Sequence, residues 1–368
     1  MTFRAAVLRT YDGPFTVEDL TLAAAPDDGE LLVRIAGCGM CRTDLAVRDS
    51  AGRSPLPAVL GHEGAGTVVA AAGADTGVRT GDHVVLSFDS CGRCRGCLRA
   101  APAYCDSFAD RNLFGAGPAH PARPAGAGGG TLAPRWFGQS SFAEYAVVPA
   151  RNAVVVDPAL PLALLGPLGC GFLTGAGAIL NTFAAGPGDT VAVLGAGAVG
   201  LAAVMAATAA GAVTVAVDRD PTRLALAERL GATPLHATPD DLGSLAERVR
   251  RLTGGGAQYA LDTTASAPLI NTALHALRPT GHLALVARLR TALTLEPGAL
   301  DRGRRISHLC EGDAVPALLI PRLIALWRAG HFPFDQLIRT YPLSEIDTAE
   351  RDCASGRTVK PVLVPDPD

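Results

Sequence analysis

Aromatic residues are scarce in this chain, 5% of its 368 residues, and charged residues supply only 18%. A disordered chain is excluded by that balance, because the 48% of hydrophobic residues supply a large apolar surface to bury. The length allows two domains. Lysine is rare, while alanine and arginine are plentiful. The formal net charge is −3 and no basic patch stands out, so nucleic acid is not an expected partner. The opening stretch MTFRAAVLRTYDGPF lacks a cationic lead into an apolar core and a small-residue cleavage site. It does not read as a signal peptide, and the cytoplasm is the expected location. No membrane span is expected either. The uncharged run from Thr190 to Val217 is broken by glycines at turn positions and reads as two strands around a helix.

Glycine is abundant, 42 residues, and its placement around Asp189 to Asp218 is specific. DTVAVLGAGAVGLAAVMAATAAGAVTVAVD reads as strand, glycine turn, small-residue helix and second strand. Gly195, Gly197 and Gly200 form G-x-G-x-x-G. The first permits a tight turn, the second lets the backbone approach a pyrophosphate, and the third lets helix and strand pack closely. The helix N-terminus then offers free N–H groups to the anion. Asp218, at the tip of the second strand, suits a ribose diol and would repel a ribose phosphate, so NAD is expected rather than NADP.

From Phe3 to about Val156 short strands alternate with Gly, Pro and Asp turns, which suggests a β-rich domain of the barrel kind. Examples are Leu31 to Ile35, Gly66 to Ala70, His83 to Leu86 and Phe142 to Val148. Gly115 to Pro134 reads as a long surface loop. After Asp218, strands alternate with helices, beginning with a helix from an Asp220 cap and Pro221 to about Leu230. Further helices are expected over Leu242 to Leu252 and Pro268 to Leu277, with strands over Tyr259 to Asp262, Leu283 to Val286 and Ile306 to Cys310. This alternation predicts an α/β, doubly wound parallel sheet.

The nine cysteines are an odd number with four tightly clustered, which in a cytosolic protein favours metal over disulfides. Cys91, Cys94, Cys97 and Cys105 follow a C-x2-C-x2-C-x7-C spacing. Four thiolates on one loop can close a tetrahedron on Zn²⁺ and leave no open position, so the expected site is structural. A second group is dispersed: Cys41 beside Thr43 and Asp44, His62 and Glu63 between glycines, and Cys170 between Gly169 and Gly171. Taken singly, Cys41 also reads as a small buried hydrophobe, His62 as a core histidine and Cys170 as a packing residue.

At these motifs the sequence resembles the zinc-dependent medium-chain alcohol dehydrogenases, most closely their aryl- or benzyl-alcohol branch. The stretches that carry the likeness are GMCRTD, LPAVLGHEGAG, the four-cysteine loop, WFGQSSFAEYAVV, LLGPLGCGFLTGAGA, GAGAVG and VKPVL. The resemblance implies a GroES-like catalytic domain over 1–170 and 306–368, carrying both zinc sites, with a Rossmann domain over 171–305. It implies that Cys41, His62 and Cys170 ligate a catalytic zinc, with Glu63 nearby and able to exchange into the shell. Asp44 would orient His62, and Thr43 would take the substrate proton. Arg42, Arg223 and Lys360 match cationic cofactor contacts, and Thr174 matches a residue beside the nicotinamide. The implied enzyme carries two zinc ions per subunit and NAD, and interconverts a primary aryl or allylic alcohol and its aldehyde. A homodimer or homotetramer is implied as well.

The sequence departs from the family in places. Ala46 stands where many relatives place a histidine that ends the proton relay. Ala287-Arg288-Leu289-Arg290 replaces a glycine and a proline-rich turn beside the nicotinamide, and His308 replaces a small residue. A member repurposed for non-redox, Lewis-acid chemistry is therefore an alternative. A non-catalytic binding protein is a third, opposed by the full set Cys41, Thr43, Asp44, His62 and Cys170.

Overall fold

The structure, a computed structural model, describes residues 1–22, 24–48, 54–73, 77–113, 124–126 and 132–367. It divides into two compact units. One comprises Met1–Cys170, Val315–Pro321 and Asp335–Asp368; the other comprises Gly171–Ala314 and Arg322–Phe334.

In the first unit, alternating β-branched and small residues form two sheets. One has the order Ala58–Val59, Thr2–Leu8, Phe15–Leu22, Pro124–Gly126. The other runs Ile338–Pro342, Lys360–Val364, Glu30–Gly39, Gly64–Ala71, His83–Leu86, Ala153–Val156, with Tyr145–Pro149 also pairing to Glu30–Gly39. Glu30–Gly39 is the spine of this sheet. Its register opposite Gly64–Ala71 sets Cys38 against Gly64, so the turns carrying Cys41 and His62 leave the sheet at the same end. The loop expected over 115–134 lies mostly outside the described residues, and Pro124–Gly126 within it is a strand paired to Phe15–Leu22. The strand expected from Phe142 begins at Tyr145. Phe142 is spent on the core, fully buried, with its N–H donating to Leu60 O at 2.9 Å.

The second unit is an all-parallel, six-stranded sheet. Its order is Thr233–His236, Val213–Asp218, Thr190–Leu194, Ala257–Asp262, Leu277–Leu285, Arg305–His308. In chain order that is 3-2-1-4-5-6, the doubly wound arrangement whose ligand crevice opens where the order reverses. Helices Leu242–Leu252 and Ala267–Ala276 lay Leu245, Val249, Ile270, Ala273 and Leu274 on one face of the sheet. Arg305–His308 is the sixth strand, so the boundary expected at 306 falls inside this sheet, and residues up to Ala314 belong with it.

Helix Ala198–Ala209 is fully buried from Gly200 to Ala207. That burial, rather than a lipid environment, accounts for its lack of charge. Among the described residues no helix is long and apolar enough to cross a membrane. Two of the three glycines are required by the backbone itself. Gly195 sits at φ +94°, a left-handed conformation that favours glycine, and a Cβ at Gly200 would lie 1.8 Å from Gly195 O. A Cβ at Gly197 would meet nothing within 4 Å, which marks open space in front of the turn. Gly200→Ala is therefore expected to cost about 1–3 kcal/mol by overpacking. Urea denaturation followed by circular dichroism checks this, and a midpoint equal to the parent's would contradict the close approach.

Candidate functional site

The four clustered cysteines meet as their spacing implies. Their sulfurs all lie within 4.8 Å of one another, and none is in a disulfide. Cys94 Sγ is 3.6 Å from Cys97 Sγ, and Cys91 Sγ is 3.9 Å from it. Bonds of about 2.3 Å from a central Zn²⁺ give a tetrahedral edge of about 3.8 Å, so the sulfurs already stand at the corners of such a cage. Backbone N–H groups stabilise thiolate charge there. Cys94 N–H donates to Cys91 Sγ at 3.2 Å, and Cys91 N–H donates to Cys105 Sγ at 3.2 Å. The Arg93 and Cys94 amides bring the Cys91 thiol down to about 6, whereas burial pushes Cys105 up to about 12. The donor set fits one zinc with no vacancy.

The dispersed residues also converge. Cys41, His62, Glu63 and Cys170 present ligand atoms within 4.8 Å of one another. Cys41 caps the short helix Arg42–Leu45, just beyond the end of Glu30–Gly39. His62 and Glu63 precede the strand Gly64–Ala71. Cys170 follows the 3-10 turn Gly166–Gly169, which approaches so closely that a Cβ on Gly166 would lie 2.0 Å from Glu63 O.

His62 carries the decisive detail. Its ring is almost wholly buried, 1% exposed. Nδ1 lies 2.7 Å from Asp44 Oδ1, which fixes the proton on that side. Nε2 is buried and has no hydrogen-bond partner among the described residues. A buried nitrogen without a partner is costly, and here it faces two thiols and a carboxylate. The Cys41 thiol is held well below its ordinary value by a hydrogen bond with Cys170 and, against burial, by the charge of His62. Burial lowers the imidazole, but Asp44 and Cys41 outweigh it and raise it well above its ordinary value. The cluster thus favours positive charge between Nε2 and the sulfurs, and a Zn²⁺ ion fits that demand. By contrast Cys38, also buried, is pushed well above its ordinary value, chiefly by burial.

Three residues with no role in the sequence reading hold this arrangement. Trp136 Nε1 donates to Asp44 Oδ1 at 2.9 Å. Phe137 stacks on the His62 ring, with centroids 4.3 Å apart and planes at 23°. Gln139 Nε2 donates to His62 O at 2.9 Å, and its Oε1 accepts from Gly64 N–H at 3.1 Å. All three lie in WFGQSSFAEY, and the available signal was a glutamine set among apolar residues that must be buried.

Glu63 is fully buried, and both its oxygens accept from Lys360 Nζ, at 2.9 and 2.8 Å. Lys360 is the only lysine in the chain. It is 2% exposed and also donates to Met40 O at 3.1 Å. Its ammonium, expected at the cofactor, is thus seated on the carboxylate beside the metal ligands. Burial pushes Glu63 up to about 7 against the pull of Lys360. Burial lowers Lys360, but the Glu63 and Cys41 charges raise it beyond its ordinary value. Thr43 Oγ1 is 3.7 Å from Cys41 Sγ, and Arg42 and Ala46 are exposed.

In the second unit, Asp218 ends its strand with Oδ2 accepting from Ala196 N–H at 2.6 Å and Oδ1 from Asp220 N–H at 2.9 Å. It therefore braces the glycine turn as well as facing the crevice expected to hold a ribose. Arg223 Nε lies 3.7 Å from Asp220 Oδ2, and Thr174 Oγ1 donates to Glu311 Oε2 at 3.5 Å. The divergent stretch is fastened to its own unit. Leu289 packs on the core, Asn271 donates to Thr294 O, and Arg288 and Arg290 are exposed.

Residues 27–158 match the alcohol dehydrogenase GroES-like domain, and residues 198–321 match the zinc-binding dehydrogenase domain. A geraniol dehydrogenase of Castellaniella defragrans is 42% identical over 366 residues, covering 98% of this chain and 97% of that protein. A crystal structure titled as an alcohol dehydrogenase zinc-binding domain protein from Burkholderia ambifaria is 42% identical, with TM-score 0.94 over 100% of both chains. The crystal structure of benzyl alcohol dehydrogenase from Acinetobacter calcoaceticus is 37% identical, with TM-score 0.90 over 100% of both. The GroES-like and Rossmann expectations hold, and the chain belongs to the zinc-binding medium-chain alcohol dehydrogenases, oxidoreductases that use zinc and NAD.

Proposed function

We propose that this alcohol dehydrogenase acts on a primary aryl or allylic alcohol and the corresponding aldehyde. The likeness to a geraniol dehydrogenase and a benzyl alcohol dehydrogenase supports that substrate class, since both names denote primary alcohols with an unsaturated carbon next to the carbinol. The observation that carries the chemistry is the buried, unpartnered His62 Nε2 among the Cys41 and Cys170 thiols.

In this reading Cys41, His62 and Cys170 hold the catalytic zinc, and Glu63 stands by as a carboxylate that can exchange into its shell. Cys91, Cys94, Cys97 and Cys105 hold the structural zinc. Zinc supplies Lewis-acid stabilisation of charge on the reacting oxygen, and NAD supplies the hydride acceptor. Asp44 keeps the His62 proton on Nδ1, so that Nε2 offers its lone pair. Thr43 accepts the hydroxyl proton of the substrate. With Ala46 in place of a histidine, that proton would pass on to water.

Gly195, Gly197 and Gly200 would seat the pyrophosphate with Arg223 as a cationic contact, Asp218 would take the ribose diol, and Thr174 would stand on the nicotinamide side. The first unit would serve as the catalytic half and the second as the cofactor half. The same reading makes the protein a cytoplasmic homodimer or homotetramer, supported by the family resemblance. The non-redox alternative has less support, because relatives that match the chain along its whole length are named as dehydrogenases.

Zinc-loaded protein is expected to reduce NAD⁺ with benzyl alcohol or geraniol, followed at 340 nm. Silence with these alcohols, and with their aldehydes in reverse, would overturn the reading. Cys41→Ser is expected to abolish that signal and remove one of two zinc atoms per chain, with the circular dichroism spectrum retained. Loss of both metals, or of neither, would contradict the separate roles of the two clusters. Asp218→Ala is expected to raise the KM for NAD on the order of tenfold, about 1.4 kcal/mol of lost binding, and to narrow discrimination against NADP. Steady-state titration of both cofactors checks this, and unchanged constants would remove Asp218 from the cofactor site.

A further inference from the structure

Asp44 is fully buried and accepts four hydrogen bonds. Oδ1 receives His62 Nδ1 at 2.7 Å, Trp136 Nε1 at 2.9 Å and Gly61 N–H at 3.1 Å, and Oδ2 receives Cys41 N–H at 3.1 Å. Two of these donors are backbone amides, fixed by the fold. Apart from the imidazole itself, the indole N–H is the one side-chain donor among them. It shares the very oxygen that orients the imidazole.

The indole is itself well anchored. Trp136 is 7% exposed and meets Phe137 edge-on at 5.2 Å, and Phe137 in turn stacks on His62. Trp136 O accepts from Gln139 and Ser140 N–H at 2.9 and 3.0 Å, and Trp136 N–H donates to Ser140 Oγ at 2.9 Å. Phe137 and Ser140 adopt φ of 50° and 56°. Such left-handed conformations in non-glycine residues persist only where the surroundings over-determine them. The turn is therefore a rigid strap that holds the indole against Asp44 and the Phe137 ring.

We propose that Trp136 is a positioning residue of the metal centre: its indole N–H pins the Asp44 carboxylate that pins His62, and so slows release of the ion held by Cys41, His62 and Cys170. Without that donor the carboxylate is free to rotate about its Cβ–Cγ bond, and the imidazole follows it. Changes to groups that orient a metal ligand characteristically cost about 10–100-fold in metal affinity. The inference rests on the ligand set proposed above.

The test compares parent, W136F and a variant carrying benzothienylalanine at 136, in which sulfur replaces the indole N–H at nearly constant shape. Each is loaded with Zn²⁺ and challenged with a chromophoric chelator, the four-cysteine centre serving as the internal reference. Both variants are expected to release the ion from the Cys41 centre on the order of tenfold faster. Release from the four-cysteine centre should stay at the parent's value, which a general loosening of the unit would not leave unchanged. With Co²⁺ in place of zinc, the visible bands of the Cys41 centre should shift in both variants. In metal-free parent the indole ¹H–¹⁵N signal of Trp136 should lie far downfield and exchange slowly.

Release within twofold of the parent's in the benzothienylalanine variant would overturn the proposal, as would rapid exchange of the indole proton. A parent that binds only the four-cysteine ion would overturn the ligand set and this inference together.

Discussion

A single imidazole organises the catalytic half of this protein. His62 is buried, one nitrogen is tied to a buried carboxylate, and the other is left without a partner. A buried nitrogen that finds no partner costs about 1–3 kcal/mol. A cation joining Nε2 to the neighbouring thiols would offset that cost and would couple metal binding to folding. The surroundings serve that demand. The spine strand delivers Cys41, the facing strand delivers His62 and Glu63, and a glycine at 166 lets the Cys170 turn close against Glu63.

The two candidate metal-binding clusters differ in the way their sequences differ. Four thiols within fifteen residues make a local, closed cage whose charge is met by backbone N–H groups. Cys41, His62 and Cys170 are brought together only by the fold, with a carboxylate held beside them by a buried lysine. The first arrangement suits a fixed structural ion and the second an ion whose shell changes. Lys360 makes the contrast concrete: the chain's sole lysine is spent on holding Glu63 next to the ligands.

What could be read from the sequence follows the range of the interactions. The glycine turn, the Asp220 cap and the helix Leu242–Leu252 depend on neighbours a few residues away, and they stand where the sequence puts them. The four cysteines were legible for the same reason. His62 was not, because no local pattern separates a ligand from a core histidine; the family motifs supplied it. Trp136, Phe137 and Gln139 act across 52 to 92 positions of chain on Asp44, His62 and Ser87, or through ring contacts that spacing does not encode. The boundary at 306 was misplaced because strand Arg305–His308 completes the parallel sheet through pairing with Leu277–Leu285, a long-range contact.

The account depends on a metal seated at His62 Nε2. X-ray diffraction from crystals of the purified protein, recorded on either side of the zinc absorption edge, tests this most directly. Two anomalous peaks per chain are predicted, one among Cys91, Cys94, Cys97 and Cys105, the other within bonding distance of His62 Nε2, Cys41 Sγ and Cys170 Sγ. A lone peak among the four clustered thiols, in protein purified and crystallised with zinc present, would contradict it.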